Sequence, residues 1–237
     1  KGVFTMKFKT ERISEHITRI YGFCTEMMYL VEGEKDAVLI DTGSGYFSLK
    51  QCVDQLTDKP VKVLMTHGHV DHAMGAGEFE EIYLNHKDEA VYREHAKKEF
   101  RLEGLAGMNA EGNAITEKDM IPAAPFERFR DLKEGDRFEL GDVQIVIYEL
   151  PGHTQGSVVM LIPEERTLGA GYGDLYCIVP RDESTSLAVN RVIWRSLGNG
   201  VQPVADKVLY REEYAQPVLA FVNYEQWPDE PDTEINL

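Results

Sequence analysis

Cysteine is scarce in this chain, with three in 237 residues (Cys24, Cys52 and Cys177) and no Cys-x-x-Cys pair. An odd, scattered set fits a reducing compartment better than a disulfide framework. No apolar run reaches membrane length, and the opening residues carry no signal-like segment. A cytoplasmic protein that neither spans nor enters a membrane is therefore expected. Positive charge is also short, 25 basic against 41 acidic residues, for a formal charge of −16. With no Lys/Arg-rich run to offset that field, a phosphate backbone would be repelled, and nucleic acid is not an expected partner. The glycines near residue 43 match neither a dinucleotide nor a Walker loop, and Ser157 lacks the nucleophile-elbow pattern. Phosphate cradling and serine hydrolysis thus find no support.

What remains is an ordinary globular composition, long enough for one large core. The first forty residues read as short strands at Ile17–Tyr21, Met27–Val31 and Ala37–Ile40, with a turn at 32–36. The last strand is apolar throughout and stops at Asp41-Thr42-Gly43. Phe47, Cys52, Val53 and Leu56 recur at helical spacing, which predicts a helix over 46–58 before the strand Val61–Met65. A short strand follows at Glu81–Leu84, and 87–100 alternates charges like a solvated surface helix. His86 and His95 lie there and are expected to be solvated. Segment 101–130 is broken by Gly104, Gly107, Gly112, Pro122 and Pro125. It reads as a long loop or short helices over one face, the pattern of a lid or insertion. Strands resume at Arg137–Leu140, Val143–Leu150, Val158–Ile162 and Thr167–Ala170, the first two joined by a Gly141-Asp142 hairpin turn. Helices are expected over 185–197 and about 203–214. Strands with interleaved helices, no repeat and no clear boundary indicate one two-layered α/β domain.

One stretch carries more chemistry than the rest. His67-Gly68-His69-Val70-Asp71-His72 places four potential metal ligands within six residues, directly after the apolar strand Val61–Met65. Imidazole and carboxylate suit a borderline cation such as zinc, and an open coordination position lets the ion activate water. Two further strand ends carry candidates: Pro151-Gly152-His153-Thr154 after Leu150, and Gly173-Asp174 after Ala170. Strand ends meet at one sheet edge, which brings ligands distant in sequence together.

In this order, Asp41-Thr42-Gly43, the His67–His72 motif, Pro151-Gly152-His153-Thr154 and Gly173-Asp174 resemble the metallo-β-lactamase superfamily, over about Ile17 to Leu197. The resemblance implies an αββα sandwich of two mixed β-sheets flanked by helices, with the site in a shallow groove at one edge. It implies that His67, His69 and His153 bind a first metal, that Asp71 and His72 bind a second, and that Asp174 bridges them. Asp71 would also act catalytically, orienting the nucleophile and returning a proton to the leaving group. Asp41 would fix a ligand imidazole from behind. The implied cofactor is zinc, one or two per chain, with manganese or iron acceptable at the second position. The implied reaction is attack of a zinc-activated hydroxide on a small-molecule ester, thioester or lactone. Lactam or phosphodiester cleavage uses the same fold, and a member that binds without turnover is the alternative from another class. The chain departs from the family in one respect: it has no histidine after His153, and Gly198-Asn199-Gly200 stands where a last ligand histidine is usual. An amide oxygen there would suit a harder ion better than zinc.

Overall fold

Ala37-Val38-Leu39-Ile40 is apolar at every position because both faces of its strand are covered. Successive side chains enter different cores, Ala37 and Leu39 one beneath the helices, Val38 and Ile40 one between two sheets. The computed structural model that shows this describes residues 8–23, 26–110, 115–151, 153–165, 167–169, 175–177, 190–192 and 207–209; for 107–110 and from 167 onward it describes the backbone alone.

β1 (Lys9–Arg12), β2 (Ile17–Tyr21), β3 (Met27–Glu32), β4 (Ala37–Ile40), β5 (Val61–Leu64), β6 (Ile82–Leu84) and β7 (Arg130–Asp131) form a seven-stranded sheet in chain order. Pairing is antiparallel from β1 to β4 and parallel from β4 to β7. Parallel neighbours need crossovers. These contain α1 (Leu49–Leu56), α2 (Val70–Ala73), and the pair α3 (Glu89–His95) and α4 (Lys98–Ala110). The second sheet joins β8 (Arg137–Glu139), β9 (Gln144–Glu149), β10 (Val158–Ile162), β11 (Thr167–Gly169) and β12 (Leu175–Cys177), all antiparallel. Gly141, at φ 118°, turns β8 into β9 where the sequence places a hairpin. Val31, Val38, Ile40 and Leu64 of the first sheet meet Ile145, Ile147, Val158 and Met160 of the second. On the other face of the first sheet, Leu30, Leu39 and Val63 pack beneath Leu49, Val53 and Tyr92. The chain is thus an α/β sandwich of two sheets with helices outside.

Three local readings differ from the structure. The helix expected over 46–58 begins only at Leu49, where the Ser48 hydroxyl caps it by accepting from the Gln51 N–H at 3.2 Å. Phe47 stands at φ 59°, outside helical space, because its N–H donates to the Asp119 carbonyl. The region 87–100 splits into α3 and the start of α4, and α4 continues through Gly104 into the glycine-interrupted segment. A tertiary anchor outweighs the glycine there. Buried Arg101 donates to the carbonyls of Ile121 (2.7 Å) and Gly45 (3.0 Å), tying α4 to the loops beside it. The remainder of the segment, from 115, is loop with one-turn 3-10 helices at Glu117–Asp119 and Phe126–Arg128. Finally, β13 (Asn190–Val192) and β14 (Lys207–Leu209) pair antiparallel where helices were expected. Apolar runs this short do not separate the two periods.

Among the described residues no helix is long and apolar enough to cross a membrane. Leu39 is 0% exposed at the centre of the larger core. Leu39→Ala should cost about 2–5 kcal/mol, read as a lowered urea midpoint at unchanged m-value.

Candidate metal centre

Because β4, β5 and β6 run parallel, their C-terminal ends lie at one edge of the sheet, the usual place for a site in such an arrangement. Those ends deliver Asp41, the stretch Thr66–His69, and Asn85–Asp88. The second sheet reaches the same edge through the loop after β9, where the Val158 N–H donates to the Thr66 carbonyl at 2.9 Å.

Two sets of residues that could hold a metal ion converge there, one of His67, His69 and His153, the other of His67, Asp71 and His72. Within each set, one ligand atom per residue lies within 4.8 Å of the others. His67 Nε2 is 3.1 Å from His69 Nδ1. Two nitrogens held by one tetrahedral zinc stand about 3.3 Å apart, so the spacing already suits a shared ion. The rings of His69 and His153 are 4.5 Å apart, edge to face. His67 and His72 are buried, while the Asp71 side chain is 50% exposed and lies at the open side.

The nitrogens facing away from the cluster are fixed by one carboxylate. Asp41 Oδ2 accepts from His72 Nδ1 at 2.8 Å and from the Thr66 hydroxyl at 2.8 Å, and Oδ1 accepts from the Thr66 N–H at 2.7 Å. With its only proton engaged by Asp41, the Thr66 hydroxyl accepts from His67 Nδ1 at 3.1 Å. Asp41 therefore orients His72 directly and His67 through Thr66, leaving both Nε2 atoms turned toward the site. Asp41 stands at φ 60°, a left-handed conformation that Asp tolerates better than most residues.

The electrostatics divide the histidines. Burial pushes the His67 pKa well below its ordinary 6.5, and neighbouring imidazoles add to the effect. Burial and then His153 lower that of His69 to about 4, and His153 is lowered by burial and by His72. These three are neutral at pH 7, as metal ligation requires. For His72 burial also opposes the charge, but Asp41 and then Asp71 more than reverse it, raising the pKa to about 10. Burial would raise the pKa of Asp71, yet the hydrogen bond with His72 prevails and lowers it.

Two residues that matter here are missed or misread by sequence. Asp88, 0% exposed, accepts from the Gly68 N–H (2.9 Å), the Gly156 N–H (2.6 Å) and the Thr154 hydroxyl (2.7 Å). It cross-links the His67–His69 loop to the loop carrying His153. A Cβ on Gly156 would stand 2.7 Å from Asp88 Cγ, so only glycine allows that approach. Nothing in the sequence separates Asp88 from the acidic residues around it. His95, expected to be solvated, is instead half-buried with its ring stacked on His69. Its neighbours explain the difference, since α3 turns its last residue back toward the site. His86 is exposed and donates to the Phe129 carbonyl, apart from the cluster. Asp174 and Asn199 lie outside the described residues, as does Cys24; of Cys177 only the backbone is described.

A family model described as the metallo-beta-lactamase superfamily matches residues 21–188. The chain belongs to the metallo-beta-lactamase superfamily. With a histidine–aspartate cluster at the sheet edge, it is a metal-binding member of this largely hydrolytic superfamily. Among its relatives is the uncharacterised protein Rv2581c of Mycobacterium tuberculosis, 27% identical over 186 residues, 75% of this chain and 76% of that one. The acyl-coenzyme A thioesterase MBLAC2 of Homo sapiens is 25% identical over 170 residues. That alignment takes in 61% of this chain and 56% of the thioesterase, little more than half its length. Among solved structures, that of TTHA1623 in a di-iron-bound form is 27% identical, with a TM-score of 0.46 and 77% of each chain covered.

Two outcomes follow from this geometry. In the metal-free protein the lowered pKa values of His67, His69 and His153 mean that the unfolded chain takes up protons first, below about pH 6.5. The unfolded state then binds more protons, so stability falls as pH drops from about 6.5 toward 4. His72, whose pKa is raised instead, acts in the opposite direction only near the top of that window, where the unfolded imidazole is still partly deprotonated, and adds no slope further down. Urea midpoints of chelator-treated protein should therefore decline over this range, and less steeply in His69→Gln. Separately, Asp88→Ala strands the buried amides of Gly68 and Gly156, each costing about 1–3 kcal/mol, whereas the Thr154 hydroxyl can turn to Ser157 Oγ at 2.8 Å. A loss of at least about 2 kcal/mol is expected in the same assay.

Proposed function

We propose that this chain is a zinc-dependent hydrolase of small thioesters, with esters and lactones as related substrates. His67, His69 and His153 would hold one ion, and Asp71 with His72 a second. The observation that carries this reading is the convergence of three neutral imidazoles on one point, with a half-exposed carboxylate beside them. Thioesters are favoured by the similarity to the MBLAC2 acyl-coenzyme A thioesterases, 25–27% identical. When bound, zinc supplies Lewis acidity and brings the pKa of water toward neutrality.

The chain's own groups do the rest. Thr66 and Asp41 keep the His67 and His72 rings in fixed tautomers, so neither has to reorganise during turnover. Asp71, at the open side and ionised at neutral pH, takes the proton released as the water oxygen bonds to the acyl carbon. It returns that proton to the departing thiolate as the carbon–sulfur bond breaks. The products are a thiol and a carboxylic acid, which gives its remaining proton to solvent to become the carboxylate, and the carboxylate of Asp71 is regenerated.

The test is thiol release from acyl thioesters of graded chain length, beside ester and lactone panels, with bound metal counted by plasma mass spectrometry. Thiol release should disappear on chelation and return with zinc. Asp71→Asn should lower kcat by roughly 10²–10⁴-fold without loss of fold. Zinc-loaded protein that turns over no member of the three panels would refute the proposal.

A further inference from the structure

His95 ends α3 and makes two contacts toward the site. Its Nδ1 accepts the Val70 N–H at 3.0 Å. Its ring is nearly parallel to that of His69, 4.7 Å away at 13°, and to that of Phe100, 4.2 Å away at 24°. Val70 is the first residue of α2, a helix of four residues whose N-cap, His69, supplies no side-chain cap. The amides of His72 and Ala73 both donate to the His69 carbonyl at 3.1 Å, which leaves the Val70 amide among the unsatisfied donors of a helix start. His95 satisfies it from 25 residues away. Because Nδ1 accepts, the ring proton sits on Nε2.

These contacts reach both ligand sets. Stacking restrains the ring of His69, and the hydrogen bond holds the first turn of the helix that carries Asp71 and His72. The Asp41 network touches neither point, since it acts on His67, on His72 and on Thr66. We infer that His95 is a positioning residue of the metal centre, fixing His69 by ring stacking and α2 by capping its first amide. The inference rests on the proposed metal-binding role of these ligands.

The two contacts can be removed one at a time. His95→Asn leaves an acceptor near the place of Nδ1 and takes away the ring. His95→Phe leaves the ring and takes away the acceptor, and His95→Ala removes both. Zinc affinity is read by competition with a chromophoric chelator. The visible spectrum of the cobalt-substituted protein reports ligand geometry, and melting of the chelator-treated protein reports the fold. His95→Ala should bind zinc about 10–100-fold more weakly and shift the cobalt bands, with metal-free melting near wild type. The Asn and Phe variants should each show a smaller loss, and they decide the matter if the alanine variant is poorly folded. Wild-type zinc affinity and an unchanged cobalt spectrum in the folded variants would overturn the inference. Wild-type protein that takes up no zinc would instead overturn the metal-site reading beneath it.

Discussion

The carboxylate of Asp41 is 3% exposed and accepts three hydrogen bonds, two from Thr66 and one from His72. A charge so far from water survives only when its acceptor sites are filled, so its three donors are held where it needs them. The peptide N–H of Asp41 donates to the Leu64 carbonyl, in step with the parallel register of β4 and β5. The next residue continues the pattern, with the Thr42 N–H and hydroxyl both meeting the His72 carbonyl, at 2.6 and 3.0 Å. Rings and helix are thereby referred to one sheet edge. Asp88 works at the next strand end, but on main chain: it binds the amides of Gly68 and Gly156, not imidazoles. One buried carboxylate sets ring orientation and the other sets the distance between ligand loops.

Much of this was legible because the information is local. The apolar run Ala37–Ile40 and the hairpin at Gly141 depend on residues close in sequence, and the structure places them where periodicity does. The His67–His72 cluster is likewise dense enough to be read from its own spacing. Asp88 and His95 were not legible for the opposite reason. The partner of Asp88 in the other loop lies 66 residues away, and that of His95 25 residues away. In a helix rich in Glu, Lys and Arg, an acid or a histidine at a helix end looks like any solvated charge. Phe47 and Gly104 mark a third kind of difference. Local propensity assigned one to a helix and the other to a break, and contacts with Asp119 and through Arg101 reversed both.

Exposure across the cluster then sets the direction of approach. His67, which belongs to both ligand sets, is 1% exposed and forms the floor; His72 is 4% exposed beside it. His69 and His153 are half-buried, and Asp71 opens to solvent. Among the described residues, Asp71 is the carboxylate that combines a place in the cluster with access to solvent. The groups that must not move are inside, and the group proposed to exchange protons is at the mouth. The chain's surplus of negative charge acts in the same direction for a cation and against it for an anion. A dication at the floor would reverse the local sign that the whole chain imposes at long range. An anionic acyl compound would thus be repelled on the way in and held only within a few ångströms of the ion. If the chain hydrolyses as proposed, screening of that repulsion by salt would make turnover of an anionic substrate faster at higher ionic strength, whereas a neutral one would be indifferent.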